Sequence, residues 1–373
     1  MEATKLSQKK TIAILVGSEL APNEERLIYN LSNLLTDSFN IMVFGTREKY
    51  HNLSQLRQIH CDTKNQSSFF GYFAYAFHFY GAVKKYKPDI LVQLNSPMTR
   101  GPIVSVVSKI TGIPYSLRIP GDKLDIYKYE RGLKKIRALI ENNVVGMILL
   151  KRAKHIILVG NHISSSIRPA LNDKQTVQNI LQPMDYAPFQ RIASKEQIRD
   201  ILHLPINKRI VLFVGRISHE KGADILEEII RETNKVSTNH LFVIIGEGRY
   251  KQSISTLENT KCVGMVPFMK ISDYYLAADL LVFPSRREGV PNVILESLIC
   301  GLPIACSDAG GMPFLVSKTC NSVNDYVEKI LDEEYGSEPT EIINSLLNPN
   351  FLKQQYLDFF VSILNIQQHS KFQ

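Results

Sequence analysis

Residues 283–311 read FPSRREGVPNVILESLICGLPIACSDAGG, and the fold turns on this stretch. An apolar run ends at Pro284. A polar loop then carries Glu288, Gly289, Val290 and Pro291. From Asn292 to Cys300 the pattern is helical, with Pro291 suited to a first turn. Pro303–Ser307 is strand-like again. Strand, helix and strand at this spacing make a βαβ unit.

Working outward, the same alternation extends through the second half of the chain. Arg209–Val214, His240–Ile245, Lys261–Val266 and Leu280–Pro284 read as strands. Ala223–Thr233, a segment from Tyr250, and Ile271–Ala278 read as helices. The first half repeats the pattern with strands at Thr11–Val16, Ile41–Phe44, Ile90–Leu94, Tyr115–Arg118 and His155–Val159. Helices fit at Glu25–Thr36 and Pro102–Thr111. The fold class expected is therefore α/β, with two Rossmann-like, doubly wound parallel-sheet domains. The polar stretch Gln182–Pro205, with three prolines, reads as the linker between a domain of residues 1–185 and one of residues 206–345. Two such domains in tandem would place a ligand cleft between the carboxyl ends of their strands.

The loop and helix around Glu288 have a definite chemistry. Free amides at a helix start favour an anion such as a diphosphate. Glu288 in the loop can accept from sugar hydroxyls, and Glu296, about one turn into the helix, from both hydroxyls of a ribose. Bonds of this charge-assisted kind are worth roughly 1.5–3 kcal/mol each. Gly289 lets backbone approach a ligand. A second motif, FVGRISHEKG at residues 213–222, puts Arg216 and Lys221 about a tight turn before a helix. Two fixed cations there can neutralise a leaving diphosphate, as a metal does elsewhere. A third, Gly246-Glu247-Gly248, is a βα turn and weaker alone.

Together these motifs resemble the donor domain of GT-B glycosyltransferases, specifically the large retaining group called glycosyltransferase family 4. Glu288 and Glu296 match that family's Glu, seven residues, Glu signature. Gly215, Arg216, Lys221 and Gly222 match its G-R-x-x-x-x-K-G turn, and CVGMVPFMKISDYYLAADLLVFPS at residues 262–285 has its look. The resemblance implies that Gly215, Arg216 and Lys221 meet the donor diphosphate. It implies that Glu296 holds the ribose. Glu288, Gly289, Val290 and Pro291 would hold the transferred sugar, and Met265, Gly246 and Gly248 would border the base. Glu288, Arg216 and Lys221 would then be the catalytic set. The family is thought to use no enzyme nucleophile, so the leaving phosphate would take the acceptor proton and configuration would be retained. No cofactor and no metal are expected, and the chain has no DxD motif. As in relatives, a short helix at residues 350–366 would cross back to the first domain.

The first half departs from the family pattern. GSELAPNEERL, starting at Gly17, stands where relatives have a glycine-rich loop. SLRIPGDKLD (116–125) stands where many have a histidine, leaving Arg118 and Asp122 as acceptor-side candidates with Gly17. Beyond Gly310-Gly311, Phe314 replaces a usual acidic residue.

Composition limits the remaining choices. Hydrophobic content of 44% with 21% charged residues excludes a disordered or fibrous chain. Net charge is +8, which favours phosphate-bearing partners. Residues 123–154 carry nine basic and three acidic residues, so most of that excess is local. Tyr127, Leu133, Ile136 and Ile140 interleave with the charges, as in a basic amphipathic helix lying on anionic lipid. The aromatic stretch Phe69–Tyr80 could add a contact. No nucleic-acid motif accompanies the charge. Five cysteines with no CxxC pair fit a reduced compartment. The apolar run Ile12–Val16 is too short for a signal-peptide core, and no stretch reaches the ~20 residues of a membrane helix. The expectation is a cytoplasmic glycosyltransferase at the membrane's inner face, using a nucleotide-sugar donor and a glycan or lipid-linked acceptor. A nucleotide-sugar-binding scaffold and an epimerase of the same fold are the alternatives. Glu288→Ala is expected to abolish transfer at modest cost in stability.

Overall fold

The computed structural model describes residues 9–17, 19–45, 50, 53–59, 69–95, 97–121, 132–160, 162–189, 193–337 and 347–370. The chain divides into two compact units, Met1–Met184 with Pro349–Gln373, and Asp185–Asn348.

In the first unit the described strands are β1 (Lys10–Leu15), β2 (Phe39–Phe44), β3 (Arg57–Ile59), β4 (Ile90–Gln93), β5 (Tyr115–Ile119), β6 (His155–Leu158) and β7 (Thr176–Asn179). They form a parallel sheet in the order β3-β2-β1-β4-β5-β6-β7. The order reverses at β1, the switch point of a doubly wound sheet. Central strands are buried on both faces, so they read as unbroken apolar runs. The edge strands β3 and β7 escape a sequence reading because RQI and TVQN are polar and only half-buried.

Helices cover both faces. On one side, α2 (Phe69–Tyr86), α3 (Pro97–Thr111) and α5 (Gly146–Arg152) bury Tyr75, Phe79, Val104, Val107, Leu149 and Leu150. Gly132–Leu139 is α4, joined to α5 by a π-helical stretch at Ile140–Val145. On the other side lie α1 (Pro22–Leu35) and the last helix of the chain, Pro349–Ser370, which is 22 residues long rather than short. The last helix buries Leu352, Tyr356, Phe359, Phe360 and Ile363, spaced as one helical face. Helix α6 (His162–Ile167) follows β6.

The second unit opens with a turn at Ala187–Phe189 and helix α7 (Lys195–Ile201). The stretch read as linker is therefore partly built structure. Ser194 and Gln197 form a reciprocal capping box, and buried Arg199 donates to the Ala277 carbonyl (2.9 Å) and pairs with Asp279 (2.5 Å). Five parallel strands follow among the described residues: β8 (Arg209–Val214), β9 (His240–Ile245), β10 (Thr260–Gly264), β11 (Leu280–Phe283) and β12 (Ile304–Cys306). Their order is β10-β9-β8-β11-β12, with the switch between β8 and β11. The connecting helices are α8 (Ala223–Val236), α9 (Lys251–Ser255), α10 (Phe268–Ala277), α11 (Asn292–Ile299) and α12 (Val323–Leu331). The helix of Pro349–Ser370 is α13.

One core residue makes the first unit acid-sensitive. His155 begins β6 at 4% exposure, and its Nδ1 meets no protein partner among the described residues. Burial, aided by the Lys154 charge, pushes its pKa down to about 4 from an ordinary 6.5. The unfolded chain thus binds this proton near pH 6.5 and the folded chain only near 4. The stabilisation is complete above pH 6.5 and is lost as pH falls to about 4, on the order of 3 kcal/mol in all. Urea unfolding between pH 7.5 and 4.5 should show this slope, and His155→Leu should flatten it. An equal slope in the variant would contradict the assignment.

Candidate functional site

The carboxyl ends of β8, β9, β11 and β12 carry four turns that lock into one another. After β8 the chain runs through Gly215, Arg216, Ile217 and Ser218, makes one tight turn at His219–Lys221, and reaches Gly222. Gly222 is left-handed (φ 71°) and starts α8. A Cβ on it would lie 1.9 Å from the Pro284 carbonyl oxygen at the end of β11. The turn after β9 is tied to the same loop: Ile217 N–H donates to the Glu247 carbonyl (2.9 Å) and Gly215 N–H to the Ile245 carbonyl (3.0 Å). Gly246 and Gly248 lie against the carbonyls of Gly215 and Ile217, where no side chain fits. After β12, Gly310 (φ 63°) packs on the Glu288 carbonyl and Gly311 N–H donates to the Gly289 carbonyl (2.7 Å). The Gly310-Gly311 pair thereby props the Glu288-Gly289 backbone, a role its sequence did not announce.

This packing brings Lys221 and Glu288 together. Lys221 Nζ lies 2.5 Å from Glu288 Oε1, with side-chain exposures of 18% and 8%. The ammonium also stands 5.9 Å from the centre of the Phe283 ring. The ion pair corrects the expectation that Glu288→Ala would cost little stability. Removing one partner of a largely buried pair leaves the other charge without compensation. Arg216 differs: it is 69% exposed and paired with Glu220 one turn on (3.0 Å), so only Lys221 of the two cations is held in place by the fold.

Helix α11 begins at Asn292 with Pro291 as its cap residue, not within its first turn. Pro291 supplies no side-chain cap hydrogen bond, and Val290 just before it is buried. Glu296 projects from this helix at 2% exposure, and Tyr275 Oη of α10 donates to its Oε2 (2.5 Å). Sequence reading missed Tyr275, because its contact with Glu296 depends on packing between two helices. Met265, after β10, is exposed.

The acceptor-side candidates have different surroundings. Gly17 makes room for Arg100, whose guanidinium would meet a Cβ there at 2.3 Å. Arg118, on β5, is 2% exposed. It donates to the Leu94 carbonyl (3.4 Å), Asn95 Oδ1 (3.4 Å) and Gln182 Oε1 (3.3 Å), and Tyr356 of α13 is a further partner. Burial lowers its pKa. As placed, its guanidinium serves the packing of α13 rather than an open surface. Asp122 lies outside the described residues.

Residues 194–330 match the family model described as Glycosyl transferases group 1. The chain is 34% identical over 238 residues to a putative teichuronic acid biosynthesis glycosyltransferase, TuaC, of Bacillus subtilis, covering 62% of this chain and 56% of that one. It is 24% identical over 285 residues to the sulfoquinovosyl transferase SQD2 of Arabidopsis thaliana, covering 70% and 52%. The chain thus spans about half the length of the curated relatives it matches. Among solved structures, Anabaena Alr3699/HepE in complex with UDP superposes with a TM-score of 0.75 at 17% identity, over 95% of this chain and 100% of that one. Sucrose-phosphate synthase from Thermosynechococcus elongatus gives 0.76 at 16%, over 96% and 100%. The fold is GT-B. In GT-B terms the matched segment is the second unit, from its capped helix α7 to α12, and it contains all four interlocked turns.

The interlock predicts a contrast between two left-handed glycines. Gly222→Ala should destabilise by about 2–4 kcal/mol, since backbone must move as well as strain. Gly301→Ala shares the left-handed φ (64°) but has open space around it, and should cost about 1–2 kcal/mol. Urea denaturation followed by circular dichroism measures both, and equal losses would contradict the packing account.

Proposed function

We propose that the protein is a retaining, metal-independent glycosyltransferase of family 4. It moves a sugar from a nucleoside-diphosphate sugar to a glycan or lipid-linked acceptor in cell-envelope or glycoconjugate assembly. The observation that carries this reading is the Lys221–Glu288 pair at the start of α11, with Glu296 on that helix. The relatives named above are glycosyltransferases, and a solved HepE structure holds UDP-glucose, which supports a nucleotide-sugar donor.

In this reading Lys221 meets the diphosphate with the exposed Arg216, and Gly215 leaves backbone room beside it. Glu288 and the Gly289 and Val290 amides hold the sugar, with Pro291 setting the start of α11. Glu296 holds the ribose. Gly246, Gly248 and Met265 border the base. The bond from the anomeric carbon to the β-phosphate oxygen breaks, and the acceptor oxygen bonds to that carbon on the same face. The acceptor proton passes to the departing phosphate. Lys221 stabilises charge as it develops on that phosphate, the role a fixed cation plays best in a site that needs no reorganisation.

Membrane contact belongs to the first unit. Leu133 (84% exposed), Ile136, Ile140, Val144 and Ile148 form an exposed apolar row along α4, the π-helical stretch and α5. Exposed Lys135, Arg137, Lys151 and Arg152 accompany it. On α2, Phe70 (84%), Phe73 and Phe77 (75%) point outward while Tyr75 and Phe79 are buried, so the aromatic helix is split between core and surface. Helices α2 and α5, which carry part of each row, pack on the same face of the sheet. A basic, apolar surface of this kind suits the inner face of an anionic bilayer. No described helix is long and apolar enough to cross a membrane.

Transfer should survive EDTA, and loss of activity restored by Mg²⁺ or Mn²⁺ would overturn the metal-independent step. Glu288→Ala should abolish transfer and also destabilise by about 2–4 kcal/mol, with Glu288→Ala/Lys221→Ala losing less than the sum of the single variants. Strict additivity in that double-mutant cycle would contradict the buried pair. Replacing Lys135, Arg137, Lys151 and Arg152 with Glu should remove binding to phosphatidylglycerol vesicles, at about 1 kcal/mol for each basic residue lost. Unchanged sedimentation with vesicles would contradict the docking face.

A further inference from the structure

A glutamate that accepts from two neighbouring hydroxyls must present its carboxylate plane in one orientation, yet its side chain turns about three bonds. Helix α11 sets only the root of Glu296. The tip is held by Tyr275, whose hydroxyl donates to Glu296 Oε2 at 2.5 Å, with both residues buried (1% and 2% exposed). Tyr275 is itself wedged. Its ring lies edge-on to Phe189 with centres 6.0 Å apart, and Phe189 in turn contacts Phe268 at 6.4 Å. Phe189 comes from the turn that opens the second unit, and Phe268 starts α10. Three aromatic rings from two segments thus aim one hydroxyl at one carboxylate oxygen. A carboxylate this deep needs donors, and a hydroxyl-to-carboxylate bond is strong and directional.

We propose that Tyr275 is a positioning residue for the donor: it fixes the Glu296 carboxylate so that it meets the vicinal hydroxyls of the nucleotide's ribose. This rests on the reading that Glu296 holds the ribose. Tyr275 touches no substrate; it acts through Glu296. The consequence is specific. Loss of the hydroxyl should weaken recognition of the ribose hydroxyls more than it weakens binding of the base or the phosphates. A merely structural tyrosine would lower the affinity for every nucleotide alike.

The test is calorimetric. Dissociation constants are measured for UDP, GDP and ADP and for their 2′-deoxy counterparts, on wild type, Tyr275→Phe and Glu296→Gln. Wild type should prefer a ribonucleotide over its deoxy form by about tenfold, the worth of one good hydrogen bond. Glu296→Gln should bring that ratio close to one. Tyr275→Phe should lower it several-fold although Glu296 is intact, and should raise KM for the donor more than it lowers kcat. A wild-type ratio in Tyr275→Phe beside a collapsed ratio in Glu296→Gln would overturn the positioning role alone. An intact ratio in Glu296→Gln, or no binding of any of the three nucleotides to wild type, would overturn the ribose reading and the inference with it. Should Tyr275→Phe fail to fold, Phe189→Leu keeps the hydroxyl but frees the ring. It should lower the ratio in the same direction, and an unchanged ratio there counts against the proposal.

Discussion

Lys221 and Glu288 are 67 residues apart in the chain and 2.5 Å apart in the fold. They meet because β8 and β11 are neighbours at the switch point of the second sheet, so the loops leaving both strands emerge side by side. Everything else in the site follows from keeping those two loops in contact. Gly222 lets one loop press on the backbone at the end of β11, and Gly310 lets a third loop press on Glu288 from behind. A site assembled from backbone against backbone has little freedom to relax, which suits charge stabilisation that must be in place before reaction.

The parts of the fold legible from sequence were those where local chemistry has one solution. Left-handed glycines, a proline before a helix, and unbroken apolar strands each restrict the backbone directly. The turns after β8, β9 and β11 and the alternation of strands and helices could therefore be read from residues 209–311. The edge strands could not, because partial exposure leaves RQI and TVQN without an apolar signal. Helix α7 was hidden for a different reason. Its buried arginine looks polar in sequence, and only its contacts with Ala277 and Asp279 show that it belongs to the core.

Side-chain roles set by long-range packing were harder still. Tyr275 sits 21 residues before Glu296, and no spacing rule links them. Arg118 shows the same limit: sequence places an arginine near a strand's carboxyl end but not its partners, which are neutral oxygens and Tyr356 from α13. A guanidinium can be retained for the acceptors it ties together, and burial beneath α13 supplies them. The exposed rows on α2, α4 and α5 were half legible. Sequence showed apolar and basic residues interleaved, but only the fold separates Phe70, Phe73 and Phe77 from the buried Tyr75 and Phe79.

The central claim is that the interlocked turns of the second unit hold a nucleoside diphosphate. The most direct measurement is the thermal midpoint of the wild-type protein and of Glu296→Ala with UDP, GDP, ADP and their common sugar conjugates. One nucleotide class at a hundred times its dissociation constant should stabilise wild type by about 2.7 kcal/mol, a rise of several degrees. Glu296→Ala, binding about tenfold more weakly, should keep only about half of that rise at the same concentration. An unmoved midpoint with every nucleotide would contradict the claim.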